Sequence, residues 1–301
     1  TGCSSVTSVT LTVHKAPDFE VGTDKALVCE GERVVLSATS KSENVDDDDC
    51  VKEFEWDNGT ISANYTTNVT TTQTFKVKGT NYFGCTSSEK GVTVIAVPNP
   101  TITTTPSPTA CEGSVVQLTA KIEDETIGNG TYQDSYEWTY ENRQVGTDAQ
   151  LSHSPSGSGT IYYEVTGSRK YSVDVDPTGS GTSTVATATC VSSLRPAVSI
   201  SAAPPMTIKG YESGVCEGAS ITLSAEGAGQ GKSYTWGTWS PTSGYDYRSL
   251  PTGTTVQGDG TLLIEGETLN DRIYAVKAIG ANGCEGQTYI TLKTHPKPTL
   301  N

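Results

Sequence analysis

The stretch VCEGERVVLSA, Val28 to Ala38, returns as ACEGSVVQLTA (Ala110 to Ala120) and again as VCEGASITLSA (Val215 to Ala225). After each Cys-Glu-Gly turn, apolar residues fall at every second place: Val34, Leu36 and Ala38, then Val116, Leu118 and Ala120, then Ile221, Leu223 and Ala225. That period belongs to a strand with one face in a core. Self-similarity at long spacing means one structural module per copy.

A second cysteine series keeps step with the first. It comprises Gly2-Cys3, Gly84-Cys85 and Gly283-Cys284, with Cys190 in Thr-Cys as the remaining member. The interval from Cys3 to Cys85 equals that from Cys29 to Cys111, and the longer interval from Cys85 to Cys190 equals that from Cys111 to Cys216. The piece from each closing cysteine to the next Cys-Glu-Gly therefore has one constant length. It holds a strand-like run and then prolines: VTLTVHKAP, VTVIAVPNP, VSISAAPP and, near the end, YITLKTHPKP. Proline has no backbone donor and cannot sit in a central strand, so these prolines mark joints. The expected units are residues 18–99, 100–203 and 204–301, the last including an onward linker. Residues 1–17 are expected to be the last strand of a preceding, truncated repeat, as if the chain were cut from a longer array.

Inside a unit an aromatic strand follows, FEW (Phe54 to Trp56), YEW (Tyr136 to Trp138) or YTW (Tyr234 to Trp236), and later TFKVKG, IYYEVTG or IYAVKAIG. Evenly spaced strands with turn signals and one Trp on the third strand describe an antiparallel sandwich. The expected fold class is all-β, a tandem array of Ig-like β-sandwiches with no helical layer. A length of 301 residues accommodates such an array, and a formal charge of −14 argues against nucleic acid or an anionic lipid surface as partner. No apolar run is long enough to span a bilayer. Eight cysteines without a CxxC or Cys/His grouping point to structural disulfides and an extracellular setting.

The ordered set of CEGxxVxLxA, YxW, a Tyr-rich strand, Asn-Gly-Cys and a closing strand before prolines resembles the Ig-like and PKD-like repeats of long secreted surface proteins of the Bacteroidota. The resemblance implies stalks or adhesive arrays, often exported by the type IX system; its motifs mark no activity, and the residues themselves point to no catalysis and no cofactor. The second unit departs from it: Ala186 to Cys190 reads ATATC after the Gly/Ser/Thr-rich stretch SVDVDPTGSGTSTV, which predicts an insertion in the closing hairpin.

Three cysteine pairings are open. Bonds within units would join Cys29 with Cys85, Cys111 with Cys190 and Cys216 with Cys284. These within-unit bonds are the first expectation; if a standard Ig topology holds strictly, those partners lie at opposite ends of the sandwich, beyond the ~6 Å a disulfide spans between Cα atoms, and the alternative is Cys29 with Cys190 and Cys111 with Cys284 across the joints. The constant interval between the two series offers Cys3 with Cys29 and its equivalents. Cys50 belongs to no series.

Few features carry chemistry. The run VDDDDC places Asp46, Asp47, Asp48 and Asp49 in one loop, read either as a solvated acidic turn or as a calcium loop without EF-hand spacing. Sequons start at Asn58, Asn64, Asn68 and Asn129. In the third unit Trp236 reads as the core Trp, while Trp239 faces the other side with Tyr245 and Tyr247 beside it. Those three residues form either a covered patch or a ligand patch for a sugar ring or a protein. His14, His153 and His295 are scattered, no nucleophile-and-base spacing appears, and Glu53 and Glu55 read as outward strand positions. The function expected is spacing: units advancing ~40 Å each would extend three in series to ~120 Å; the alternatives are a carbohydrate- or protein-binding module centred on the aromatic loop of the third unit, or an accessory array of a secreted hydrolase. Partners expected are neighbouring repeats of the same chain, with surface glycans or lateral copies as further options.

Overall fold

A computed structural model describes residues 2–3, 5–105, 109–125, 130–175, 184–212, 214–228, 233–266 and 271–298. Asn129, positions 176–183 of the Gly/Ser/Thr-rich stretch and the tail from 299 lie outside them. No helix occurs among the described residues, and the fold is a tandem row of Ig-like β-sandwiches.

The first sandwich holds β1 (Phe19–Thr23), β2 (Leu27–Cys29), β3 (Glu32–Ser40), β4 (Val51–Trp56), β5 (Asn64–Val69), β6 (Gln73–Asn81) and β7 (Lys90–Val97). One sheet runs β1-β3-β5 and the other β2-β7-β6-β4. All pairs are antiparallel except β2 with β7, which run parallel with Cys29 opposite Val97.

The second comprises β8 (Ile102–Thr104), β9 (Ala110–Cys111), β10 (Val116–Ile122), β11 (Gly130–Tyr140), β12 (Arg143–Gly146), β13 (Gln150–His153), β14 (Gly159–Tyr162), β15 (Glu164–Asp174), β16 (Val185–Leu194) and β17 (Ala197–Ser201). Its closing hairpin, β15 with β16, is paired from Val165 with Leu194 out to Asp174 with Val185, longer than its counterpart in the first sandwich. The third comprises β18 (Met206–Lys209), β19 (Val215–Cys216), β20 (Ile221–Gly227), β21 (Thr235–Ser240), β22 (Gly244–Asp246), β23 (Thr254–Val256), β24 (Leu262–Ile264), β25 (Arg272–Ile279), β26 (Glu285–Leu292) and β27 (Thr294–His295). The parallel pairing repeats in both, with Cys111 opposite Ser201 and Cys216 opposite His295.

Three separate cores follow from the alternation. Val34, Leu36 and Ala38 enter the first with Trp56 and Val94; Val116, Leu118 and Ala120 the second with Trp138 and Val198; Leu223 the third with Trp236 and Leu292. Each buried indole keeps a partner, Trp56 donating to Ser62 O, Trp138 to Asp148 O and Trp236 to Gly260 O, all at 2.9 Å. A ring buried without that bond would bear the cost of desolvating its N–H. The repeated Cys-Glu-Gly is explained by its third residue: Gly31, Gly113 and Gly218 have φ of 84°, 77° and 75°, where a side chain is strained.

Residues 5–17, expected as a strand, form none: no strand lies beside them among the described residues, and Val6, Val9, Leu11 and Val13 are exposed.

Arg169 is the fully buried charge of the structure's described part. It donates to Asp134 through Nε (2.7 Å) and Nη2 (2.9 Å), and to Glu123 O through Nη1 (3.0 Å). Its guanidinium also covers the Tyr132 ring at 4.0 Å. The Asp134 carboxylate holds the guanidinium charged. Removing one member of a buried pair strands the other, so Arg169→Ala should lower stability by about 3 kcal/mol, read as a shift in the urea midpoint; Arg169→Ala combined with Asp134→Ala should recover part of it.

Candidate functional sites at the joints and on an aromatic face

Parallel pairing with the last strand sets each leading cysteine at the exit end of its sandwich. The closing cysteine follows the hairpin strand and lies at the entry end. The pairings Cys29 with Cys85, Cys111 with Cys190 and Cys216 with Cys284 are therefore not formed, and neither are the constant-interval pairs such as Cys3 with Cys29. Instead Cys29 bonds Cys190 and Cys111 bonds Cys284, each with Cα atoms 5.5 Å apart. Each bond ties the exit of one sandwich to the entry of the next. Cys3, Cys50, Cys85 and Cys216 are free thiols, Cys50 buried and Cys216 exposed.

The first joint has its own small apolar core. Leu27 and Val97 of the first sandwich are buried against Tyr171 and Cys190 of the second, with Val173, Ala186 and Ala188 around them. The long β15–β16 hairpin supplies that surface, and burial of a Leu or Val side chain is worth about 1.5–3 kcal/mol. The Tyr171 hydroxyl donates to Pro98 O at 2.9 Å and meets Glu125 at 3.2 Å. Burial pushes its pKa up, which keeps it a neutral donor. The second joint uses other groups for the same task. Asn282 Nδ2 donates to Ala202 O at 2.9 Å, and its Oδ1 accepts from Cys284 N at 3.1 Å. Gly286 admits the linker so closely that an added Cβ would lie 2.3 Å from Pro204 O.

The acidic loop is spent on the segment entering the first sandwich. Asp48 accepts from His14 Nδ1 at 2.8 Å and Lys15 N at 3.2 Å, and Asp49 accepts from Asp18 N at 3.0 Å. The His14 hydrogen bond, then that from Lys15, holds the Asp48 carboxyl below its ordinary range. Asp46 and Asp47 are exposed, and no group of three or more metal-ligating side chains converges among the described residues. Asp48 and Asp49 thus clasp the entering chain.

On the third sandwich the predicted aromatic residues do meet. Trp239 pairs across the β21–β22 hairpin with Tyr245. Tyr245 and Tyr247 lie parallel at 6.0 Å, with Lys277 Nζ 4.8 Å from the Tyr247 centroid. Desolvation raises the pKa of both tyrosines, so both rings are neutral. Tyr289, from β26, was not singled out in the sequence. It stacks on Trp239 at 4.3 Å with an interplanar angle of 7° and meets Tyr245 edge-on at 6.2 Å. Its only sequence signal was an outward place in YITL; register alone brings it to the Trp. Glu53 and Glu55 face outward on β4, and His153 shares a hydrogen bond with the Tyr163 hydroxyl at 2.9 Å beside the second core.

No family profile and no curated protein sequence matches the chain. Among solved structures it is similar to the three N-terminal domains of the highly immunogenic outer capsid protein of bacteriophage RB49, at 15% identity and TM-score 0.32, covering 93% of this chain and 99% of that one. It is similar also to the N-terminal eight Ig domains of the Down syndrome cell adhesion molecule, at 11% and 0.36, covering 90% and 36%. A third is the insect immune protein hemolin, at 12% and 0.26, covering 93% and 76%.

Thiol exposure orders reactivity. Alkylation of the native protein should modify Cys3 and Cys216 first, Cys85 more slowly, and Cys50, only 6% exposed, after unfolding alone. Peptide mapping by mass spectrometry reads the order.

Proposed function

We propose that this chain is a spacer segment of a long extracellular bacterial surface protein, a stalk, adhesin or filament, and that it carries load and sets distance with no catalysis of its own. The observation that supports this reading is the path of the two disulfides. A bond inside a sandwich would protect that domain alone, whereas Cys29–Cys190 and Cys111–Cys284 each oppose bending and separation of neighbours. Proline joints and the buried Leu27–Val97–Tyr171 contact act in the same sense. Disulfides persist where the surroundings are oxidising, which supports a place outside the cytoplasm. The resemblance to secreted Bacteroidota repeats supports the bacterial surface and type IX export, with neighbouring repeats as the first partners.

Small-angle scattering tests the spacer. The native chain should fit one extended shape of ~120 Å. Cys29→Ala with Cys190→Ala should require an ensemble of bent shapes and cost about 2–4 kcal/mol in stability. Identical scattering from both would refute the role of the staples.

A second reading is favoured by Tyr289, 45% exposed at the edge of the Trp239–Tyr245–Tyr247 ladder. An open ring edge beside a Trp suits a glycan or a protein partner. On a glycan array this reading expects a specific signal that falls at least tenfold in Trp239→Ala; absence of any signal from the native chain removes the sugar option.

A further inference from the structure

In all three sandwiches, the residue three places before the partner of the leading cysteine is a core residue. Val94 precedes Val97, Val198 precedes Ser201 and Leu292 precedes His295, and each is 0% exposed. Ser201 and His295 stand at one and the same interval after a closing cysteine, Cys190 and Cys284 respectively. His14 stands at that interval after Cys3, and Leu11, three before it, is 84% exposed. Val9 and Val13 alternate with it on the same side and are exposed too. Apolar residues at every second place, left in water, have the pattern of a segment able to complete a sheet that lies elsewhere.

The entry end of the first sandwich repeats the geometry of a stapled joint. At the second joint Cys284 Sγ lies 3.8 Å from Ser201 O, and the carbonyl of the next residue, Ala202, is held by Asn282. At the first joint the carbonyl of the residue after Val97, Pro98, is held by Tyr171. Before the first sandwich, Cys85 Sγ lies 3.6 Å from His14 O, and the carbonyl of the next residue, Lys15, is held by Asn81 Nδ2 at 3.1 Å. Asn81 is buried and fully used: Nδ2 also donates to Asp48 O, and Oδ1 accepts from Phe83 N and Cys85 N. His14 stacks on Phe83 at 3.5 Å. Such a fixed seat holds the entering chain as the two stapled joints hold theirs. In those joints the residue in the place of His14 pairs with a cysteine bonded to the residue in the place of Cys85.

We infer that residues 6–14 and Cys85 together form a docking site for one more Ig-like module of this type. That module lacks its own last strand, takes residues 6–14 as that strand with Leu11 in its core, and brings a Cys-Glu-Gly cysteine opposite His14 to bond Cys85. The bond forms by exchange with a small disulfide such as oxidised glutathione: two thiols give up two protons and two electrons, one disulfide forms, and the oxidant leaves as two thiols. Cys216, exposed and paired in register with His295, presents the opposite half of the same joint. The inference goes beyond the spacer reading and is tested on different chains, so either can fail alone.

The test extends the full chain. Residues 18–83 are placed again ahead of Gly2, so that a second copy of the first sandwich ends in residues 6–14; a companion chain places residues 100–189 ahead of Cys3. Both are refolded with oxidised and reduced glutathione. The expected result is a disulfide from the added Cys29, or the added Cys111, to Cys85, with amide exchange across 6–13 slowed about 100-fold or more relative to the unextended chain. In the unextended chain Leu11→Asp should leave Tm unchanged, whereas Leu292→Asp lowers it. A bond from the added cysteine to Cys3, an alkylatable Cys85 in both extended chains, or failure of both to protect 6–13 would overturn the inference. So would protection of 6–13 in the unextended chain.

Discussion

The structure depends on the short parallel contact between the segment before Cys-Glu-Gly and the last strand of the same sandwich. Three or fewer residue pairs suffice in each domain. Because the two segments run in the same direction, the leading cysteine emerges where the last strand ends. Hairpin pairing of the two strands before the exit puts the closing cysteine at the far end. A disulfide reaches about 6 Å between Cα atoms, far less than a strand's length, so the two cysteines of one domain cannot meet. Neighbours can, and the covalent order of the row follows from strand direction.

The residues that hold each linker differ while the held atom is equivalent. Tyr171 and Asn282 each give a donor to the carbonyl one place after the residue paired with a leading cysteine, and Asn81 gives one to the carbonyl of Lys15, one place after His14. An amide reaches from a tight turn; a phenol reaches from within a long hairpin. The second sandwich, lacking Asn-Gly-Cys, uses the extended β15–β16 surface to bury Leu27 and Val97 as well. In the first sandwich Val97 sits opposite Cys29, one place further from Cys85 than Ser201 is from Cys190 or His295 from Cys284. The joint absorbs that extra residue without losing its pairing. Constancy here resides in backbone geometry, and side chains adapt to it.

The aromatic face of the third sandwich illustrates how a patch can be partly self-satisfied. One face of Trp239 is taken by Tyr289, and Tyr247 is braced by Lys277 and by its hydroxyl at 3.3 Å from Gln287 Oε1. Stacked pairs add about 0.5–1.5 kcal/mol beyond burial, so the ladder stabilises the outer sheet whether or not anything binds there. The acidic loop shows the same economy of charge. Asp48 and Asp49 accept hydrogen bonds from the incoming chain, and their role is to fix its direction.

Much of the fold was legible because strand period, turn glycine and joint proline are local properties. Val34, Leu36 and Ala38 announce a half-buried strand, Gly31 a backbone that needs φ above zero, and Trp56 a core, without knowledge of any neighbour. The in-step spacing of the cysteines was legible too, yet spacing cannot tell which end of a sandwich a cysteine occupies. That was decided by the direction in which β2, β9 and β19 lie beside the last strands, a tertiary fact. Tyr289 joined Trp239 only through the β25–β26 register, and Tyr171 became a joint residue only because the hairpin bearing it overhangs the neighbouring domain. By itself the amino-acid order determined the modules and their cores, since alternation and turns act within a few residues. The tertiary structure alone decided how modules are fastened, since fastening depends on ends meeting at sequence separations of 161 and 173.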